Sequence, residues 1–192
     1  TSHHLATEAG EAALRAGGNA IDAALAAAAT LCVVYPNNVA LGGDLVALVR
    51  SPDGRVRFLN ATGTAPARQT REALHEKHGA QLPLRGVDTV TVPGGVCGWN
   101  SLHEYGATLP WAAHFEAAIR HAEEGFSNSR SVAAALVEDW DSLAEDPGAR
   151  EVFYPNGVPI AEGELLKQPA LAATMKRIAE CGSAEFYEGR TA

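Results

Sequence analysis

The longest unbroken apolar pattern in the chain runs from Ala20 to Val34, where Asp22 and Thr30 are the only polar side chains. A stretch of this kind has no face to give to solvent, so it predicts a core helix covered by layers on both sides. Gly17-Gly18 ends the helix before it, because glycine takes the left-handed conformation at a helix C-terminus, and Asn19 with Asp22 reads as N-cap and first-turn acid. Ahead of that hinge, residues 7–16 set Ala12, Ala13 and Leu14 among charged positions, the pattern of a short amphipathic helix. Pro36 closes the apolar helix, and Asn37-Asn38 and Gly42-Gly43-Asp44 tighten the backbone before the next apolar run.

That run, 45–49, and a second at 56–59 are predicted strands, joined by Ser51-Pro52-Asp53-Gly54, the strongest hairpin signal in the sequence. The loop 60–66 follows the second strand, where a sheet delivers functional groups. Residues 70–78 predict an exposed helix with Thr70 as cap and Glu72 in its first turn. Val90 and Val92 alternate with Thr89 and Thr91, which predicts a short half-buried strand. Val92-Pro93-Gly94-Gly95 then turns into a helix over about 96–105. Glycines at a helix start can cradle an anion. This turn carries neither a P-loop lysine nor a G-x-G-x-x-G pattern, so close turn packing is preferred. Further on, 109–124 carries Trp111, Phe115, Ala118, Ile119 and Ala122 on one helical stripe, and 129–144 carries Val132, Leu136, Trp140 and Leu143 on another. Pro155-Asn156-Gly157 is a turn, and a last helix is predicted over 169–181, ending near Gly182.

Composition narrows the partners. With 192 residues, 46% of them apolar, the chain suits one domain, 1–192, with a sizeable core. A net charge of −8 with scattered Lys and Arg argues against a nucleic-acid groove and leaves small molecules or proteins. The apolar helix contains Asp22 and is flanked by glycines and Pro36, a poor membrane span, so no membrane partner is expected. Neither a basic n-region nor an apolar h-region opens the chain, so no intact signal peptide is expected. Cys32, Cys97 and Cys181 form no C-x-x-C pair, which favours free, mostly buried thiols in a reducing compartment and a cytoplasmic placement, with export left open.

The residues that suggest chemistry have simpler explanations. Thr1, if it began a mature chain, would combine hydroxyl and α-amine as a nucleophile-base unit. His3-His4 mimics a metal pair without an acidic partner and reads as surface. His114 and His121, with Glu116, Glu123 and Glu124, read as solvated helix charges, since a metal would need ligands from elsewhere. Glu138, Asp139, Asp141, Glu145 and Asp146 splay around a helix axis as a solvated face. No catalytic residue, metal ligand or cofactor site is therefore assigned within the chain.

The order GGNAIDAALAAAATLCVVYP, LGGDLVALV, SPDG and a second strand resembles the start of the large subunit of γ-glutamyltranspeptidases and the related cephalosporin acylases. The resemblance continues through Ala65-Pro66, the segment from Val92 to Gly98, Tyr105-Gly106, Ala122-Glu123-Glu124 with Gly125-Phe126, Gln168-Pro169 with Leu171-Ala172, and Phe186-Tyr187-Glu188-Gly189, covering essentially the whole chain. It implies an α+β fold, the N-terminal nucleophile hydrolase type of αββα sandwich, with this chain supplying mainly helices and part of the sheets. It also implies a precursor that cleaves itself before a threonine, which then begins a small subunit and attacks an amide. Thr1 matches the start of the large subunit, so that nucleophile lies outside this chain. The implied partners are that small subunit, from the same precursor, and a small-molecule amide substrate.

In the transpeptidases, the loop after the second strand resembles Arg-Glu-x-Ala-Pro, whose arginine binds the α-carboxylate of the glutamyl group; other branches have Gly-Arg-Ala-Pro. Thr62 and Thr64 stand at the corresponding positions here, and Arg68 follows two residues after the Pro. Thr62, Thr64 and Arg68 are thus the candidate substrate-binding residues. Threonine cannot replace a bidentate guanidinium clamp. Two functions are therefore carried forward. One is the large-subunit portion of an amidohydrolase or acyltransferase acting on γ-glutamyl or other amide bonds. The other is a non-catalytic binding or scaffold module that retains the fold.

Overall fold

A capping box at Asn19 starts the helix on which much of the fold is built. In the computed structural model, which describes residues 1–192, the elements in chain order are α1 (His4–Arg15), α2 (Ala20–Val34), β1 (Leu45–Arg50), β2 (Val56–Ala61), α3 (Arg71–His78), α4 (Gly95–Gly106), α5 (Glu116–Glu124), β3 (Phe126–Ser127), α6 (Arg130–Glu138), α7 (Trp140–Leu143), α8 (Pro147–Phe153), β4 (Leu165–Leu166), α9 (Pro169–Cys181) and α10 (Ala184–Glu188), with 3-10 turns at Val87–Thr89, Trp111–Phe115 and Pro155–Gly157. They fall into two units, one formed by Thr1–Ala40 with Leu102–Ala192 and the other by Leu41–Ser101.

In the first unit, α1 begins three residues before the predicted start because His3 caps it, its Nδ1 accepting from the Leu5 amide at 3.3 Å. His3 is buried, not on the surface as its sequence context suggested, and its ring meets Phe126 edge-on. The cap of α2 is reciprocal: the Asn19 side chain accepts from the Ile21 and Asp22 amides, and Asp22 Oδ2 accepts from the Asn19 amide at 2.7 Å. Gly10 lets the two helices approach, since a Cβ there would stand 3.1 Å from the Ala23 carbonyl. Leu25, Ala26, Ala29, Cys32, Val33 and Val34 of α2 are buried. Ala24 is exposed and Ile21 and Leu31 are only half-buried, so the expected cover on both sides is incomplete.

Asp22 is fully buried and its carboxylate collects donors from three segments. Besides Asn19, it accepts from the Thr108 amide and hydroxyl (3.0 and 2.8 Å), the Leu109 amide (3.0 Å) and His114 Nε2 (2.9 Å). Burial by itself would push this carboxyl up. The hydrogen bonds from the Asn19 amide, His114 and the Leu109 and Thr108 amides outweigh it and hold the group well below the usual carboxylate range. His114, expected to be solvated, is buried, and its Nδ1 meets the Trp111 carbonyl at 3.0 Å. This geometry also explains why the single helix expected over 109–124 is divided: residues 111–115 wind as a tighter 3-10 turn that aims His114 at Asp22, and α5 starts only at Glu116.

The helix expected over 129–144 is interrupted at Asp139. The Tyr154 hydroxyl donates to the Leu136 carbonyl at 2.8 Å and so occupies the acceptor that a continuing helix would offer to residue 140, while the Trp140 ring packs edge-on against Tyr154. Glu138, Asp141, Glu145 and Asp146 of the acidic run are exposed, and Asp146 caps α8 by accepting from the Ala149 amide. The two-residue strands β3 and β4 pair antiparallel and were too short to read from the sequence. The α9 helix follows the expected range, and Trp111 Nε1 donates to its Ile178 carbonyl at 2.8 Å.

In the second unit, β1 and β2 form the expected antiparallel hairpin, with Leu48 opposite Phe58 and Leu45 opposite Ala61. Ser51 donates its amide to the Arg55 carbonyl at 2.8 Å, and Gly54 takes the positive φ the turn requires. Leu45, Ala47, Leu59 and Ala61 share the partly buried face; Val46, Leu48, Val56 and Phe58 stand bare on the other, with Leu48 73% and Phe58 64% exposed. Thr70 caps α3 as expected. The strand expected at 89–92 does not form. Thr89 folds back on the Gly86 carbonyl through both its amide and its hydroxyl, which winds a 3-10 turn and leaves one isolated bridge, Val92 to Thr64.

All three cysteines are free, but only Cys32 is buried, whereas Cys97 and Cys181 are exposed. No helix is long and apolar enough to cross a membrane.

The folded-state value of Asp22 lies below its unfolded value of ~3.9. Its stabilisation is therefore fully present above about pH 5 and is lost as the pH falls through the folded-state value. Thermal unfolding scanned from pH 7 to pH 2 should show a steeper acid-side fall for the wild type than for Asp22→Asn. At pH 7 that variant should be less stable by about 3–5 kcal/mol, the usual cost of breaking a buried pair by removing one partner.

Candidate functional site

The loop after β2 folds against the start of α4 within the second unit and encloses a cleft of about 410 Å³. Two local rules shape it. Asn60 Oδ1 accepts from both the amide (3.1 Å) and the hydroxyl (2.9 Å) of Thr62, an Asx-type turn that directs the chain away from the sheet. Thr64 then returns to antiparallel pairing, its carbonyl accepting from the Val92 amide at 2.9 Å.

Glycines allow the close approach. Gly63 has φ +81 and lies so near the Val92 carbonyl that a Cβ would collide with it. A Cβ on Gly94 would strike the Ala61 backbone, and one on Gly98 would come within 2.7 Å of both Ala61 Cβ and Leu45 Cδ2. The Gly95 amide at the head of α4 is already committed to the Gly43 carbonyl at 3.0 Å. The glycine turn thus serves close packing, as its sequence suggested, with that donor turned to the backbone.

Of the three candidate residues, the structure brings Thr62 and Thr64 together on the cleft wall; Arg68 is exposed on the turn 66–69 and lies outside the lining. The opposite wall comes from α4, where Cys97, Gly98 and Ser101 share one helical face, and Ser101 Oγ donates to the Cys97 carbonyl at 3.0 Å. Asn60, Cys97 and Ser101 were not anticipated as site residues. The spacing of Cys97 and Ser101, one helical turn apart, was the available signal, but which helix face meets the loop is set by tertiary packing. The lining contains no charged side chain. The cleft can hold an uncharged group between backbone, amide and hydroxyl functions and offers no counter-ion to a carboxylate.

The other chemically suggestive groups are tied to structure. The Thr1 hydroxyl donates to the His3 carbonyl at 2.7 Å. Burial lowers the basicity of His3, assisted by His4 and His121, and burial followed by the charge of Arg120 does the same for His121. No group of three or more His, Cys, Asp or Glu side chains is arranged to hold a metal ion. Burial pushes the Cys32 thiol up to about 12, which removes it as a nucleophile at neutral pH.

Residues 6–192 match the family model described as Gamma-glutamyltranspeptidase. The glutathione hydrolase-like YwrD proenzyme of Bacillus subtilis is 38% identical over 190 residues, covering 97% of this chain and 36% of the relative. Among solved structures, the γ-glutamyltranspeptidase of Helicobacter pylori superposes with a TM-score of 0.94 at 31% identity, covering 100% of this chain and 56% of that one. The cephalosporin acylase of Bacillus halodurans superposes with a TM-score of 0.90 at 38% identity, covering 97% of this chain and 36% of the other. The chain thus spans about a third of the length of the curated relative it matches.

Gly94→Ala should destabilise the protein by about 1–3 kcal/mol through forced displacement of the Ala61 backbone. Gly42→Ala, where an added Cβ meets nothing within 4 Å, should stay within about 0.5 kcal/mol; urea unfolding of both variants measures the contrast. In native-state alkylation followed by peptide mass analysis, Cys32 should remain unmodified until the protein is unfolded.

Proposed function

The chain belongs to the γ-glutamyltranspeptidase family, and from that premise we propose that it is the N-terminal portion of the large subunit of an amidohydrolase or acyltransferase whose nucleophile is an N-terminal threonine outside residues 1–192. In this reading, a precursor cleaves itself ahead of that threonine, and the freed α-amine serves as base for the neighbouring hydroxyl. The hydroxyl oxygen attacks the amide carbonyl, the amine leaves with a proton, and the acyl group passes from the threonine to water or to an acceptor amine. Donors of the small subunit would stabilise the tetrahedral oxyanion.

The observation that carries the reading is the agreement of the whole chain with family members of which it spans only part. The hairpin supports it. A two-stranded sheet is marginal alone, and this one leaves Val46, Leu48, Val56 and Phe58 bare on one face. A second sheet laid on that face would complete the αββα sandwich and bury the four side chains. The natural source is the remainder of the same precursor, including the small subunit.

The cleft bounded by Thr62 and Thr64 is the proposed acyl-binding wall. Because its lining is uncharged, it favours amides whose acyl group lacks an α-carboxylate over γ-glutamyl compounds, with Arg68 available only if its turn moves. A scaffold that has lost the nucleophile would conserve the same packing, so the reading depends on finding the processed partner.

A denaturing intact-mass spectrum of the full-length protein should show two polypeptides, the second beginning with threonine; a single uncleaved chain would sink the enzyme reading and favour the scaffold. In the processed enzyme, Thr62→Arg should raise kcat/KM for a γ-glutamyl anilide relative to a neutral acyl anilide by roughly 10-fold or more, the scale of a charged hydrogen bond. An unchanged ratio would remove Thr62 from the acyl site.

A further inference from the structure

The hydrogen-bond partners of His114 determine where its protons are. Nδ1 faces the Trp111 carbonyl at 3.0 Å, and a carbonyl oxygen can only accept. Nε2 faces Asp22 Oδ1 at 2.9 Å. That oxygen also receives the Leu109 amide at 3.0 Å and a share of the Thr108 amide at 3.2 Å, while Oδ2 receives the Asn19 amide and the Thr108 amide and hydroxyl. With donors at every lone pair, the carboxyl has no place for a proton of its own. A neutral imidazole, which has one N–H, would set a bare nitrogen against an acceptor on one side or the other. Only a doubly protonated ring satisfies both contacts.

We infer that His114 carries a proton on both ring nitrogens and closes an ion pair with Asp22, and that this pair is a clasp joining the start of α2 to the segment 106–115. The second titratable neighbour, His103 of α4, stands 5.4 Å away with its ring turned 75° to His114, and its buried Nδ1 has no hydrogen-bond partner. The Trp111 ring stands edge-on to both imidazoles, and Phe115 packs on Trp111. From α9, the Ile178 carbonyl receives the Trp111 indole, and the Met175 and Ile178 side chains are fully buried. These groups keep water away.

A neutral ring would leave either the Trp111 carbonyl or an Asp22 oxygen facing a lone pair in a buried site, which would favour opening of 106–115.

The test uses the full-length protein. Neutron diffraction from perdeuterated crystals at pD ~8, where an ordinary imidazole is neutral, should show deuterons on both nitrogens of His114 and none on Asp22. A single deuteron on the ring, or one on Asp22, would overturn the assignment. Hydrogen exchange of the segment 106–115, followed by mass spectrometry at a single pH in the wild type and in His114→Gln, reads the clasp. Opening in the variant should increase at least tenfold relative to the segment 20–34; an unchanged opening frequency would overturn the clasp even if the ring is doubly protonated.

Discussion

A carboxylate buried out of reach of bulk solvent is the constraint on which the first unit depends. Desolvating an ionised group is expensive, and the cost is met only if donors converge on it with good geometry. Asp22 meets that requirement by drawing in its own N-cap amide, the amides of Thr108 and Leu109, the Thr108 hydroxyl and the His114 ring. Asn19 adds a further tie, its side-chain Nδ2 donating to the Gly106 carbonyl. One side chain therefore fixes the start of α2, the turn at 106–109 and the 3-10 winding of 111–115 together. The orientation of Trp111, and through its indole the contact with α9, follows from the same arrangement.

The second unit is organised by the opposite device, the absence of side chains. Gly63, Gly94 and Gly98 let the loop after β2, the turn at 92–95 and the first turns of α4 come to backbone contact. That closeness gives the cleft its shape and an uncharged lining. The hairpin itself carries one partly buried face and one bare apolar face, and an exposed apolar patch of that kind marks a surface suited to further protein. A chain that spans about a third of its curated relative is expected to carry such a face.

Much of this was legible along the chain. Local rules located α2 with its cap, the hairpin, α3 and α9, because a glycine hinge, a capping residue or a turn dipeptide acts over a few neighbouring residues. The ordered blocks also identified the family. The strand expected at 89–92 failed because Thr89 bonds back to Gly86, a local competition that alternation does not register. The helix at 129–144 was cut by Tyr154, a residue distant in sequence. Of the residues that line the candidate cleft, Thr62 and Thr64 were singled out along the chain, whereas Cys97 and Ser101 were not.

The sequence alone determined where helices and strands begin and end in most segments, and it placed Asp22 at a helix N-terminus as an ordinary first-turn acid. Tertiary structure decided that this acid is buried and that His114, 92 residues later, is its partner. The physical reason is range. Capping, turn and periodicity signals come from groups close together along the backbone, while a buried charge takes its meaning from whichever donors the folded chain brings to it. The face of α4 that meets the loop was settled in the same way, by the glycines that let the backbones close.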